Sequence, residues 1–114
     1  MENKEYPKLV RDNIPEIIKN ESGVEPSYRI LEDDTEFLNA LLKKATEEAA
    51  ELYHSVENNN VEEELADLLE IIDTITALRG KLIEDIEAIQ IIKREKRGGF
   101  EKRILMNEPP KPQS

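Results

Sequence analysis

Apolar residues recur every three to four positions along much of this chain, which is the spacing of amphipathic helices. One such stripe predicts a long helix from Glu36 to about Glu57. Its members are Leu38, Leu41, Ala45, Leu52 and Val56. A second long helix is predicted from Val61 to about Arg79, where nearly every position after Glu64 is apolar or small. The pattern therefore predicts a mainly all-α fold.

Shorter elements flank these two helices. Residues 12–15 combine an Asx cap with a proline and predict a short helix through about Lys19. A third long helix is predicted from Leu82 to Arg97, where two glycines stop it. Residues 28–31 favour an extended conformation, and residues 100–106 are their candidate partner strand.

The connection between the first two long helices consists of three asparagines, 58–60. So short a linker predicts an antiparallel helical hairpin, which a third helix and a second copy of the chain would extend into a four-helix-bundle-like oligomer. We expect one domain over residues 1–106. The proline-rich residues 107–114 predict a disordered tail.

The composition limits which metal ligands and nucleophiles the chain can supply. The 114 residues include no cysteine, which excludes a disulfide framework, thiolate metal ligands and cysteine nucleophiles. Any metal must be held by oxygen. The sequence has neither a signal-peptide-like segment nor a run of about 18 apolar residues, so we expect a cytoplasmic protein that does not enter a membrane.

The formal net charge of −10 argues against binding to nucleic acid polymers. Charge is also segregated: thirteen acids and two Lys or Arg residues lie between Glu47 and Glu87. Bases crowd the segment that follows, as Lys93, Arg94, Lys96, Arg97, Lys102 and Arg103. Solvated helix faces would explain this pattern as well as a binding site would.

Several acids fall on or beside apolar faces. Glu48 lies within the stripe of the first long helix, and Glu51 follows one turn later. Glu64 and Asp67 are one turn apart at the start of the second. Burying such carboxylates requires compensation, which a hard cation such as Mg²⁺ supplies. Spacing alone also allows a solvated acidic stripe.

The acids at Glu47, Glu48 and Glu51, followed after twelve residues by Glu64 and Asp67, form a pattern that resembles the all-α nucleoside triphosphate pyrophosphohydrolases, the MazG-like superfamily. This superfamily includes phosphoribosyl-ATP pyrophosphohydrolase and the dimeric dUTPases. Residues 6–18 and 97–104 resemble the two terminal signatures of its small single-domain, phosphoribosyl-ATP pyrophosphohydrolase-like branch, usually written with Lys where this chain has Asn13.

The resemblance implies cleavage between the α- and β-phosphates of a nucleotide, giving a nucleoside monophosphate and pyrophosphate. It implies Mg²⁺ as the cofactor, with Mn²⁺ as a substitute. The positions that match the family's metal ligands are Glu48, Glu51, Glu64 and Asp67. Glu48 also belongs to the candidate catalytic set, in which Glu47 and Glu70 would orient the metal shell or accept a proton.

Basic side chains would share the charge of the phosphates. The candidates are Lys8, Arg11, Arg97, Lys102 and Arg103. Ordinary surface charge is the alternative explanation for each of them. The resemblance and the apolar second helix both predict a homodimer or homotetramer.

Two other functions compete with a house-cleaning pyrophosphohydrolase. One is phosphoribosyl-ATP pyrophosphohydrolase of histidine biosynthesis, which shares the acid motif. The other is a non-catalytic, acidic helical adaptor that serves oligomerisation or binds a basic partner. Acids with metal-ligand spacing inside an apolar surface favour an enzyme over the adaptor.

Overall fold

A computed structural model describes residues 6–112 of the chain, and it confirms the all-α prediction. Within that range the regular structure is entirely helical. The elements are α1 at Ile14–Ser22, α2 at Asp34–His54, a turn of 3₁₀ helix at Ser55–Asn58, α3 at Val61–Leu78 and α4 at Ile83–Arg97. All three long helices begin and end within three residues of their predicted limits.

The chain divides into two compact units after Lys81. The first contains α1, α2 and α3, and the second contains α4 and the residues that follow it. Within the first unit, α2 and α3 pack against each other along their lengths as a helical hairpin. This hairpin carries the acids that the sequence singled out.

Local chemistry explains where the helices of the first unit begin and end. The Asp33 carboxylate accepts a hydrogen bond from the backbone N–H of Glu36 at 2.9 Å and thereby caps α2. Asn13 precedes α1, where Pro15 occupies the first turn, but its side chain makes no capping hydrogen bond. Gly80 follows α3 with φ of 73°, a conformation that most other residues avoid.

The core of the hairpin is small. Among the described residues, Leu41 of α2 and Ile71 of α3 are the buried apolar residues, with 3% and 7% of their surface exposed. Three apolar residues of α3 remain much more exposed, namely Leu65 at 45%, Leu69 at 57% and Ile72 at 38%. Within the described part of the first unit, one face of α3 is therefore left uncovered.

The second unit has even less burial. No described residue of α4 is buried, although the helix carries isoleucines at positions 83, 86, 89, 91 and 92. Its start is capped by the Asp85 carboxylate, which accepts from the backbone N–H of Leu82 at 2.9 Å. Arg94 forms an ion pair with Glu101 beyond the end of the helix.

The two-stranded element predicted for residues 28–31 and 100–106 is wrong, because neither segment forms a strand. Tyr28 and Ile30 stay 60% and 72% exposed, so burial of their side chains does not stabilise a strand there. Between residues 6 and 112, no helix combines the length and the apolar character that a membrane crossing requires.

Candidate metal centre

Three glutamates converge where α2 approaches the start of α3. Glu48 and Glu51 lie one turn apart on α2, and Glu64 lies in the first turn of α3. One carboxylate oxygen from each of the three lies within 4.8 Å of the other two. Glu48 is buried, Glu64 is half-buried and Glu51 is exposed, so the cluster extends from the interior of the hairpin to solvent.

Two oxygens of this cluster have no hydrogen-bond donor. They are Oε2 of Glu48 and Oε2 of Glu64, and both are removed from solvent. The other oxygen of Glu48 lies 3.7 Å from the Nζ of Lys44, one turn earlier on α2. That single long contact leaves the two buried oxygens uncompensated, and such burial costs several kcal/mol in the absence of a partner.

Burial raises the pKa of the Glu48 carboxyl above its ordinary value, and the neighbouring Glu64 carboxyl raises it further. The Lys44 ammonium opposes this rise, while the negative charges of Asp67 and Glu64 add to it. A cation bound beside Glu48 and Glu64 would offset both the desolvation and the repulsion between the two carboxylates.

The donor set fits a hard divalent cation. All three groups are carboxylates, which Mg²⁺ and Ca²⁺ prefer, and the chain has no cysteine to favour softer metals. Glu51 is exposed, so a cation held by the cluster would have access to water ligands. The three carboxylates therefore fit a hard divalent cation, a class that includes Mg²⁺.

Asp67 has a different partner. Its carboxylate accepts a hydrogen bond from the Arg11 guanidinium at 2.7 Å, in an ion pair whose side chains are 40% and 59% exposed. Asp67 is close enough for its charge to raise the pKa of Glu48. The fold thus brings together Glu48, Glu51 and Glu64 of the four predicted ligands and pairs the fourth with Arg11.

The remaining predicted site residues are distributed over both units. Glu47 and Lys8 line one shallow pocket, and Glu70 is exposed on α3. Arg97 ends α4, and Lys102 and Arg103 follow it in the second unit. The phosphate-binding roles of Lys8, Arg97, Lys102 and Arg103 stay predictions, and so do the catalytic roles of Glu47 and Glu70.

Sequence reasoning assigned no role to Lys43 or Lys44. Both line the pocket that also contains Lys8, and Lys44 contacts Glu48. The signal was present in the sequence, since Lys44 precedes Glu48 by the four residues that place two side chains side by side on a helix.

No family model, curated protein or solved structure matches this chain.

Proposed function

We propose that this chain is a cytoplasmic, Mg²⁺-dependent nucleoside triphosphate pyrophosphohydrolase that releases a nucleoside monophosphate and pyrophosphate. The observation that carries the proposal is the pair of buried oxygens of Glu48 and Glu64 that lack a donor, with Glu51 beside them. The acid motif and the two terminal signatures, which resemble those of the MazG-like superfamily, supply the reaction type.

Glu48, Glu51 and Glu64 would hold the cation, and Asp67 would join them or tune the local charge. Bound Mg²⁺ would neutralise phosphate charge and lower the pKa of a coordinated water. The helical hairpin contributes the rigid positions of these carboxylates, since Glu48 and Glu64 are fixed by the packing of α2 on α3.

Two more acids are assigned to proton handling. Glu47 is half-buried beside the cluster, at the edge of the pocket that contains Lys8, and would accept a proton from the attacking water. Glu70 lies one turn beyond Asp67 and is exposed, so it has the weaker position for this role. Lys8 and Arg11 of the first unit would bind substrate phosphates, and the same role is proposed separately for Arg97, Lys102 and Arg103 of the second unit.

The uncovered face of α3 supports a homodimer as the smallest active unit. Leu65, Leu69 and Ile72 expose between 38% and 57% of their surface, and a second hairpin would bury them in a four-helix bundle. The same face also supports the competing proposal of a non-catalytic helical adaptor. Only the orphaned carboxylate oxygens distinguish the two, because an interaction surface does not require them.

Magnesium-dependent release of pyrophosphate from a panel of nucleoside triphosphates and phosphoribosyl-ATP tests the proposal. We expect release with Mg²⁺ or Mn²⁺ and none in EDTA, and Glu63→Gln serves as the control for a neighbouring exposed acid. Absence of release from every substrate would favour the adaptor. Activity on phosphoribosyl-ATP alone, with complementation of a histidine auxotroph, would identify the histidine-pathway enzyme instead.

A further inference from the structure

Three lysines surround the shallow pocket between the N-terminal segment and α2. Lys8 lies between Pro7 and Leu9, which also line the pocket, and Lys43 and Lys44 approach from α2. Among the described residues of the lining, Glu47, one turn further along α2, is the single acid. The pocket is therefore locally cationic.

This concentration of positive charge contrasts with its surroundings. Residues 6–81 contain eight Lys or Arg and eighteen Asp or Glu, and three of those eight bases meet at this pocket. Like charges repel one another when they are brought together, and a buried or half-buried ammonium loses hydration. An acidic protein that groups three lysines here provides a site for an anion.

The lysines have few partners within the described part of the chain. Neither Lys8 nor Lys43 forms an ion pair there, and the Nζ of Lys8 lies 5.2 Å from the centroid of the Tyr6 ring. Lys44 contacts Glu48 at 3.7 Å, which is long for a charged hydrogen bond. At least two ammonium groups can therefore donate to a ligand.

We propose that this pocket binds the β- and γ-phosphates of the nucleotide, and the pyrophosphate that forms from them. The proposal rests on the function proposed above and adds a location for the leaving group. Lys44 provides the connection, because it lines the pocket and contacts Glu48 of the metal centre. Each lysine offers three N–H donors to phosphate oxygens.

The size of the pocket agrees with a small anion. Its cavity volume is about 50 Å³, whereas one water needs about 10 to 15 Å³ by the same kind of measure. Such a shallow space can receive part of a pyrophosphate and is too small to enclose a nucleoside. The base and sugar would consequently lie outside it.

Calorimetric titration of the full chain with inorganic pyrophosphate in EDTA tests the pocket without any hydrolysis. We expect Lys43→Gln and Lys8→Gln each to weaken pyrophosphate binding by about fivefold or more, since each removes a charged hydrogen-bond donor. Lys43→Arg should retain binding. Lys81→Gln, which changes the same charge outside the pocket, should bind as the unmodified protein does.

A second titration with a nucleoside monophosphate identifies which phosphate the lysines serve. Weak binding of the monophosphate that is insensitive to Lys43→Gln supports the assignment. Equal dependence of both ligands on Lys43 would place the α-phosphate in the pocket and overturn it, as would unchanged pyrophosphate binding in Lys43→Gln and Lys8→Gln. Lysine-dependent pyrophosphate binding without hydrolysis of any nucleotide would support the pocket and refute the proposed reaction.

Discussion

The guanidinium of Arg11 donates a hydrogen bond to the carboxylate of Asp67 at 2.7 Å, across 56 residues of sequence. This ion pair attaches the segment before α1 to α3, next to the acidic cluster. It also places a positive charge on a carboxylate that would otherwise add to the negative field at Glu48. Arg11 and a divalent cation therefore compete for the charge of Asp67.

Substitution Arg11→Gln should tighten Mn²⁺ binding, because the charge of Asp67 would no longer be neutralised. The cost in stability should be at most about 1 kcal/mol, since both side chains are substantially exposed. Calorimetric titration with Mn²⁺ measures the affinity. Lys19→Gln breaks the exposed Lys19–Glu25 pair and should leave the affinity unchanged. Weaker Mn²⁺ binding in Arg11→Gln would contradict this prediction.

Magnesium should raise the melting temperature through the cluster. A ligand that binds only the folded state at about 100 times its dissociation constant stabilises it by about 2.7 kcal/mol. Scanning calorimetry with Mg²⁺ or with Na⁺ at matched ionic strength measures the difference. The difference should disappear in Glu48→Gln, Glu51→Gln and Glu64→Gln and persist in Glu63→Gln.

Turnover should fall with the same substitutions. Glu48→Gln, Glu51→Gln, Glu64→Gln or Asp67→Asn should each reduce pyrophosphate release by about tenfold or more, since loss of a group that supports a metal ligand commonly costs about 10- to 100-fold. Circular dichroism should show that the helices remain. Near-normal activity in any two of the four variants would refute the assignment of the metal centre.

Glu48→Gln should be more stable than the unmodified chain in EDTA. The substitution removes a buried charge, and its amide donates a hydrogen bond to the unpartnered oxygen of Glu64, which is worth about 1 kcal/mol. Urea denaturation in EDTA measures the change, with Glu47→Gln as the half-buried neighbour for comparison. A loss of stability would show that the Lys44 contact compensates the Glu48 carboxylate.

The pKa of Glu36 should lie below that of an ordinary glutamate. A hydrogen bond from Arg29 lowers it, and the positive charge of Arg29 contributes as well. The stabilisation from this pair is therefore present above the unfolded-state pKa of the carboxyl and is lost as pH falls through the lowered folded-state pKa. Carbon-detected NMR titration measures the pKa, which should return to the ordinary range in Arg29→Gln.

Leu69→Glu should dissociate the proposed dimer. Leu69 exposes 57% of its surface on α3, so a charge there would be solvated in a monomer and buried in a bundle. Light scattering at micromolar concentration measures the mass against the 13.1 kDa of one chain. Val24→Glu, in the loop after α1, should leave the mass unchanged. A monomeric, active unmodified protein would refute the dimer.

The sequence predicts the helices because periodicity and caps act locally. Asp33 caps α2 as an aspartate before a helix should, and the burial of Glu48 follows from its place in an apolar stripe. Its convergence with Glu64 follows from the short linker. The burial of Glu48 and its approach to Glu64 can therefore be predicted from helix periodicity and from the length of the linker.

The other features depend on contacts between distant segments. No spacing rule relates Arg11 to Asp67, which form an ion pair in the structure. The family resemblance instead predicts Arg11 as a phosphate-binding residue and Asp67 as a metal ligand. Lys8 meets Lys43 only because the N-terminal segment lies along α2. The predicted strand at residues 28–31 does not form, although its residues have a local preference for extended structure. Tyr28 and Ile30 stay exposed, so pairing there would bury little apolar surface.

The turn between α2 and α3 has a consequence for how the acidic cluster can change. Asn59 adopts a left-handed conformation, with φ of 56° and ψ of 42°, and the chain reverses within the few residues around it. One inserted residue in α3 before Glu64 would rotate that carboxylate by about 100° about the helix axis. The number of residues between this turn and Glu64 therefore sets the direction in which the Glu64 side chain leaves α3. A change in that number would separate Glu64 from Glu48 and Glu51, although every acid would still be present in the sequence.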